Sequence, residues 1–383
     1  MTGRPLLFDP LQIKDIELPN RVVLSPMCQY SAIDGMMNDH HFVHYSQFAM
    51  GGTGLIIVEA TGVEARGRIT HGCVGIWDDG QIDAHKRVVE LIKANGAVAA
   101  LQIAHAGRKA SCQRPWEGDG PLEEKDFARG DLAWEVVAPS AVPFADGWLM
   151  PRELSTADIA DIIDNWVAAT KRAIQAGYDV LEIHSAHGYL SHSFLSPLSN
   201  RRGDKYGGSL ENRMRFTLEV AEAVRPVWPD NKPLFTRISC VDGIKGGREI
   251  EESVALAKEL KARGVDVIDC SAGGIAGEGE NTMAPPTPGY QVGYAAQIRR
   301  EADIMTQAVG MVLSASQAET ILTSGAADLV SLARESLRNP YWAHHAAEAL
   351  GADPDYNAWP VQYGHWLGNR AKSMYSGRTA AAD

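Results

Sequence analysis

Eight short apolar runs, each followed by a segment with helical periodicity, constrain the fold of this chain more than any other feature. The runs are Arg21–Pro26, Leu55–Ala60, Val98–Ile103, Asp179–His184, Pro233–Ile238, Val265–Cys270, Ile304–Ala308 and Asp328–Leu332. They are continuous in apolar character instead of alternating, as parallel strands covered on both faces require. Amphipathic segments fall near 38–50, 81–95, 156–176, 209–225, 249–263, 291–302, 316–325 and 335–350. Ser155, followed three positions on by Asp158, predicts a capped helix start. Eight such units predict an α/β fold, a (β/α)8 barrel of the TIM type. A doubly wound sheet is the rival, but no Gly-x-Gly-x-x-Gly turn follows the first strand to mark a dinucleotide fold.

Three pieces lie outside the repeat. Residues 6–20 predict a small hairpin ahead of the barrel, placed to plug its bottom. Residues 109–152, rich in Gly, Pro, Trp and acids, form a long excursion after the third strand. Residues 351–383 form a tail holding Trp and Tyr, whose last segment, ending in Ala-Ala-Ala-Asp, is expected to be disordered. No low-complexity linker interrupts the chain, so residues 1–383 are expected to form one barrel domain. The net charge of −12, with no cluster of Lys and Arg, argues against a nucleic-acid partner. Five scattered cysteines (Cys28, Cys73, Cys112, Cys240 and Cys270) are never spaced C-x-x-C, which argues against a disulfide framework and against zinc or iron–sulfur binding. The first residues show no cationic segment leading an apolar run, and no apolar stretch is long enough to span a bilayer. A cytoplasmic protein with no membrane partner is therefore expected.

In a barrel, chemistry gathers where the strands end, and several ends here are unusual. The first run leads into Ser25-Pro26-Met27-Cys28-Gln29-Tyr30. The second carries Glu59, an acid that backbone groups could cap. The third carries Gln102 among apolar neighbours, and a core amide needs partners. The fifth carries Arg237, which needs an anion nearby because an unpaired buried charge is strongly unfavourable. The fourth leads into Glu182-Ile183-His184-Ser185-Ala186-His187-Gly188-Tyr189-Leu190. A donor pair three residues apart, His184 and His187, could grip one oxygen, and the Tyr189 phenol could supply a proton. That equipment suits reduction of a polarised double bond. The same two histidines could instead ligate a metal in a barrel hydrolase, although no acid closes the eighth strand end facing them. A second cluster, His40, His41 and His44, lacks a Glu or Cys to complete a metal site, so surface or interface histidines are expected there. No metal is predicted.

Taken together, these residues resemble the old yellow enzyme family of flavin-dependent ene-reductases, within it the thermophilic-like subgroup. The match runs from about Leu7 to Trp366. Its specific pieces are Ser25–Tyr30, Leu101-Gln102-Ile103-Ala104-His105-Ala106-Gly107-Arg108-Lys109, His184–Leu190, Asn200-Arg201-Arg202 and Tyr206-Gly207-Gly208-Ser209-Leu210-Glu211-Asn212-Arg213. The resemblance implies tightly bound FMN at the strand ends, with NADPH or NADH as reductant. It places Ser25, Pro26, Met27 and Ala60 along the isoalloxazine, Gln102 at its pyrimidine edge and Arg237 at N1/O2. Cys28 would tune the flavin potential without acting as a nucleophile. Tyr30, His184 and His187 would bind the substrate carbonyl, and Tyr189 would protonate the α-carbon while hydride goes to the β-carbon.

At the phosphate end the resemblance assigns Ala315, Ala333 and Arg334. Many relatives place glycine where this chain has the two alanines. Alanine keeps its backbone N–H, so only a position needing φ > 0 would suffer. In the tail, His365-Trp366-Leu367 resembles the xenobiotic-reductase branch, where a tryptophan lines the substrate pocket. Other members of the subgroup place an arginine from the neighbouring subunit here, so Trp366 is expected either in the pocket, its own or a neighbour's, or as an interface aromatic. The resemblance further implies small-molecule enone substrates and a homodimer or homotetramer. Nitro compounds and nitrate esters are alternative acceptors, since a nitro group takes the same paired hydrogen bonds.

Overall fold

The eight predicted strands close into a parallel barrel, seen in a computed structural model that describes residues 3–275, 283 and 285–379, with side chains as far as Met374. In chain order they are β1 (Val22–Leu24), β2 (Leu55–Gly62), β3 (Val98–Ala104), β4 (Val180–Ser185), β5 (Leu234–Ser239), β6 (Val267–Ser271), β7 (Met305–Ala308) and β8 (Leu329–Leu332). Each pairs in parallel with its neighbours, and β8 closes on β1 with Val330 opposite Val22. The helices wrapped outside are α1 (Asp39–Met50), α2 (Ile82–Ala94), α3 (Thr156–Ala176), α4 (Leu210–Val224), α5 (Ile250–Ala262), α6 (Val292–Ala302), α7 (Ala315–Thr323) and α8 (Trp342–Ala349). α3 starts as predicted: Ser155 Oγ accepts from the Asp158 N–H at 3.1 Å, and the Asp158 carboxylate accepts from the Ser155 N–H at 2.8 Å. The single helix expected over 335–350 is two, Arg334–Arg338 and α8. Pro340 lies in the gap; it has no N–H to offer and disfavours helical geometry at Asn339.

Successive side chains of a strand point to opposite faces, so each strand contributes every second residue to the barrel interior. The lowest inward layer is apolar. Val23, Leu55, Ile57, Ala100, Val180, Phe235, Val267 and Leu329 form one cluster with Ile13 and Leu18. Those last two belong to the predicted hairpin, whose strands Leu11–Ile13 and Ile16–Leu18 pair antiparallel and floor the barrel. Burying each of them contributes about 1.5–3 kcal/mol. Two residues further along, the inward positions turn polar: Ser25, Gln102, Glu182, Arg237, Asp269, Gln307 and Ser331, all buried. Another step of two reaches Met27, Ala104, His184, Ser239, Ser271, Val309 and Ala333. The candidate site is this third layer.

The excursion after β3 carries short elements only, among them a helix at Glu124–Arg129 and a two-residue strand, Val137–Ala138, paired with Arg152–Glu153. The tail carries a helix, α9 (Val361–Thr379); the Ala-Ala-Ala-Asp end of the segment expected to be disordered falls outside the described residues. The His40 cluster corrects one expectation. Only His40 is on the surface; His41 and His44 are buried, because they share the inner face of α1 with Tyr45 and Phe48.

Candidate active site

At the C-terminal end of β4 the chain turns sharply, and His187 adopts a left-handed backbone (φ 59°) held by its N–H donating to Ser239 Oγ at 2.9 Å. Burial, reinforced by the Arg237 charge, holds both His184 and His187 well below the usual imidazole pKa, so both rings are neutral near pH 7. A neutral ring has one N–H, and its neighbours decide which nitrogen carries it. His184 Nδ1 accepts the Ala186 N–H at 3.2 Å, which leaves the proton on Nε2. His187 Nε2 lies 2.7 Å from Ser271 Oγ, and the Gln291 amide donates to that same oxygen at 3.3 Å. The Ser271 hydroxyl can then donate to His187 Nε2, and in that tautomer the His187 proton is on Nδ1. His184 Nε2 and His187 Nδ1 face each other at 3.4 Å. In that tautomer the two N–H groups converge on one spot, where a single oxygen could accept from both.

Tyr189 follows two residues later, its ring 5.1 Å from that of His184, edge to face. Burial pushes the phenol far above its ordinary pKa, so it keeps its proton. Lys109, at the end of the long β3 motif, lies with its ammonium 5.0 Å from the Tyr189 ring centre and 4.5 Å from that of Phe144. It donates to the carbonyls of His187 at 2.9 Å and Gly274 at 3.3 Å, tying the loops after β3, β4 and β6 together. Burial lowers it to about 8. The sequence reading gave Lys109 no role, although it closes one of the quoted motifs.

The loop after β1 brings Pro26, Met27, Cys28 and Tyr30 toward the same mouth. Tyr30 has a left-handed backbone (φ 49°), and its carbonyl accepts from Arg114 Nε at 3.2 Å. Gly72 is required beside it, because a Cβ there would lie 2.0 Å from that carbonyl oxygen. Burial, then the nearby Cys73 and Glu59, pushes the Cys28 thiol well up, so it is a neutral thiol and a poor nucleophile. Ala60 lines a small void with Cys73, Ala104, Ala106 and Tyr189.

A groove of about 480 Å³ opens beside these residues, within the size range of small-molecule sites. Arg237, Ser271 and Gln291 line its inner end; Gly310, Met311, Ala333, Arg334 and Arg338 line its outer end. Arg334 is exposed there and pairs with no acid among the described residues. Ser25 and Gln102 lie beneath: Arg237 Nη1 donates to Ser25 Oγ at 2.9 Å, and Gln102 Nε2 donates to Glu182 Oε1 at 2.8 Å. The anion that Arg237 requires is therefore already in the protein, with Asp269 Oδ2 3.3 Å from Arg237 Nε. Neither alanine at the outer end needs a glycine backbone: Ala333 has φ −121°, and Ala315 is not among the positive-φ residues. Ala315 starts α7 and does not line the groove, where Gly310 and Met311 take that role. Trp366 is 70% exposed on α9, and its one ring contact among the described residues is His365. Within one chain it does not join the site. Among the described residues no three His, Cys, Asp or Glu side chains gather as a metal cluster.

Behind Cys28 lies Glu59, fully buried, accepting the Gln29 N–H at 2.9 Å and the Tyr45 hydroxyl at 3.1 Å. His41 Nε2 is 3.6 Å from its Oε1. Burial lifts Glu59 to about 8, above the ordinary 4.5. The folded protein thus keeps a proton that the unfolded chain releases, and stability falls as pH rises from about 4.5 to about 8. Glu59→Gln removes the titration and keeps one acceptor, its carbonyl oxygen toward the Gln29 N–H, with the amide NH2 toward the Tyr45 hydroxyl oxygen. It should stabilise the protein at pH 9 by an amount on the order of 4 kcal/mol, and far less near pH 5. Urea unfolding at the two pH values checks this; an equal effect at both would contradict it.

Residues 6–353 match the model of the NADH:flavin oxidoreductase / NADH oxidase family. The chain is 47% identical over 348 residues to an NADPH dehydrogenase of Geobacillus sp. (strain WCH70), covering 90% of this chain and 95% of that protein. It is 44% identical to an NADPH dehydrogenase of Bacillus subtilis (strain 168), covering 93% and 98%. Among solved structures, morphinone reductase superposes with a TM-score of 0.74 at 30% identity, covering 91% of this chain and 90% of that one. The old yellow enzyme homologue from Zymomonas mobilis gives 0.74 at 26% identity, covering 90% and 93%.

Proposed function

We propose that this chain, which belongs to the NADH:flavin oxidoreductase / NADH oxidase family, reduces the activated double bond of α,β-unsaturated carbonyl compounds, using FMN and a reduced nicotinamide. The NADPH dehydrogenases it resembles favour NADPH as the reductant. The groove fits FMN in size and in chemistry. Arg334 and the backbone around Gly310–Met311 would hold the phosphate, while Arg237, Ser25 and Gln102 would meet the polar edge of the ring. The chemistry that FMN supplies when bound is two-electron transfer, with hydride taken from the nicotinamide and given to the acceptor.

The protein supplies the polarisation and the proton. The observation that carries this reading is the 3.4 Å approach of His184 Nε2 and His187 Nδ1 beside a protonated Tyr189. A carbonyl oxygen held by both N–H groups draws electrons from its β-carbon and becomes more negative as hydride arrives there. The two donors therefore bind that charge more tightly than the ground state. Protonation of the α-carbon falls to Tyr189, the nearest phenol. Its high pKa keeps the proton in place until the adjacent carbon becomes basic.

Loading the protein with FMN, reducing it with NADPH without oxygen and adding 2-cyclohexenone tests this reading. Prompt return of the oxidised flavin spectrum with formation of cyclohexanone is expected. A reduced flavin that oxygen reoxidises but the enone does not would defeat the proposal. Ser271→Ala removes the hydroxyl that places the proton on His187 Nδ1. The enone reaction should slow about tenfold, the loss of one hydrogen bond of ~1.4 kcal/mol, with NADPH oxidation under oxygen little changed. Equal slowing of both would assign Ser271 to flavin binding instead.

A further inference from the structure

The polar layer under the groove carries one guanidinium and two carboxyls, and the two acids are not equivalent. Arg237 on β5 and Asp269 on β6 are direct cross-strand partners, joined Nε to Oδ2 at 3.3 Å. The same guanidinium reaches Ser25 through Nη1 and lines the groove. Asp269 is wholly buried, with Gln307 opposite it on β7. Glu182 is equally buried. Its Oε1 accepts from Gln102, its Oε2 has no hydrogen-bond partner, and it makes no ion pair among the described residues. A lone carboxylate in such a place is strongly unfavourable, whereas a neutral carboxylic acid is tolerated.

We propose that Asp269 is the internal counter-ion of Arg237 while Glu182 stays neutral, so that Asp269 sets how far Arg237 can favour negative charge on a flavin bound above it. Burial raises both carboxyls and Arg237 opposes the shift at both, but at Glu182 the Asp269 charge adds to the rise and lifts it well above its ordinary value, which agrees with that division. The inference goes beyond the choice of acceptor. It rests on FMN occupying the groove, and it concerns the reducing power of the bound flavin. Asp269 is a tuning residue acting through Arg237: with its charge present, the guanidinium is partly neutralised and reduction of the flavin is harder than it would be over a bare cation.

The test is a redox titration of FMN-loaded protein against a reference dye at pH 7. With Asp269→Asn, the ratio of reduced to oxidised flavin at fixed dye poise should rise about tenfold or more, ~30 mV for a two-electron couple. Asp269→Glu and Glu182→Gln should each stay within about twofold, because the first keeps the charge and the second replaces a group already neutral. An unchanged or lower ratio in Asp269→Asn overturns the proposal. So does a tenfold rise in Glu182→Gln, which would place the charge on Glu182. If Asp269→Asn does not fold or does not hold FMN, the Glu182→Gln titration decides alone. Wild-type protein that cannot be loaded with FMN would refute the cofactor assignment and leave this charge assignment aside.

Discussion

Tyr189→Phe is expected to slow the reaction of the reduced protein with an enone by roughly 10²–10⁴, the usual worth of a positioned proton donor. Reduction of the flavin by NADPH should change by no more than about twofold, because no proton is delivered to carbon in that half. The substitution removes one hydroxyl and leaves the ring against His184, so the fold and the groove stay as they are. Anaerobic stopped-flow mixing separates the halves. Equal slowing of both would mean that Tyr189 shapes the site and does not supply the proton. The Lys109 ammonium beside the ring adds a condition: the phenolate left by proton transfer forms near a positive charge. Since Lys109 is pushed down to about 8, that help should fade above this pH. The rate of the enone half should therefore decline as pH rises through about 8, while reduction by NADPH should not follow the same curve.

Loss of either imidazole is expected to be nearly as severe. His184→Ala removes one of two donors converging on the substrate oxygen, and a single donor at a developing oxyanion is worth about 10²–10³ in rate. His187→Ala should match it, and the double variant should fall well short of the product of the two, because the donors act on one atom as a unit. The measurement is the enone rate constant of the NADPH-reduced protein for the two single variants and the double. Rates within about threefold of wild type for either single variant would show that the pair does not bind the reacting oxygen.

The barrel was legible because its inward positions obey one simple period. Counting by two from Val23, Val180 and Val267 passes through Ser25, Glu182 and Asp269 to Met27, His184 and Ser271. Floor, charged layer and site can thus be read off each strand in turn. Arg237 announced a nearby anion for the same reason. Which acid answered was hidden, because Asp269 lies 32 residues further on, on the next strand, and only the β5–β6 register brings the two together. The partners of His187 are likewise spread over separate elements: Ser239 on β5, Ser271 on β6 and Gln291 just before α6. The break at Asn339-Pro340 was readable from the proline alone, and the amphipathic pattern on either side masked it. His41 and His44 were misplaced for a different reason. Residue type suggests a surface, whereas their spacing with Tyr45 and Phe48 marks the buried face of α1. Trp366 keeps its place in the tail motif, and in the single chain α9 leaves its side chain exposed.

The most direct measurement is where hydrogen isotope lands in the product. NADPH of natural isotopic composition and 2-cyclohexenone are supplied together to FMN-loaded protein in D2O, so that the reduced flavin is consumed before its transferable hydrogen exchanges with solvent, and the cyclohexanone is examined by NMR. Delivery of hydride to the β-carbon and of a solvent-exchanged proton from Tyr189 to the α-carbon predicts one deuterium at the α position and none at the β position. Deuterium at the β-carbon, or recovery of the enone unreduced, would contradict that mechanism.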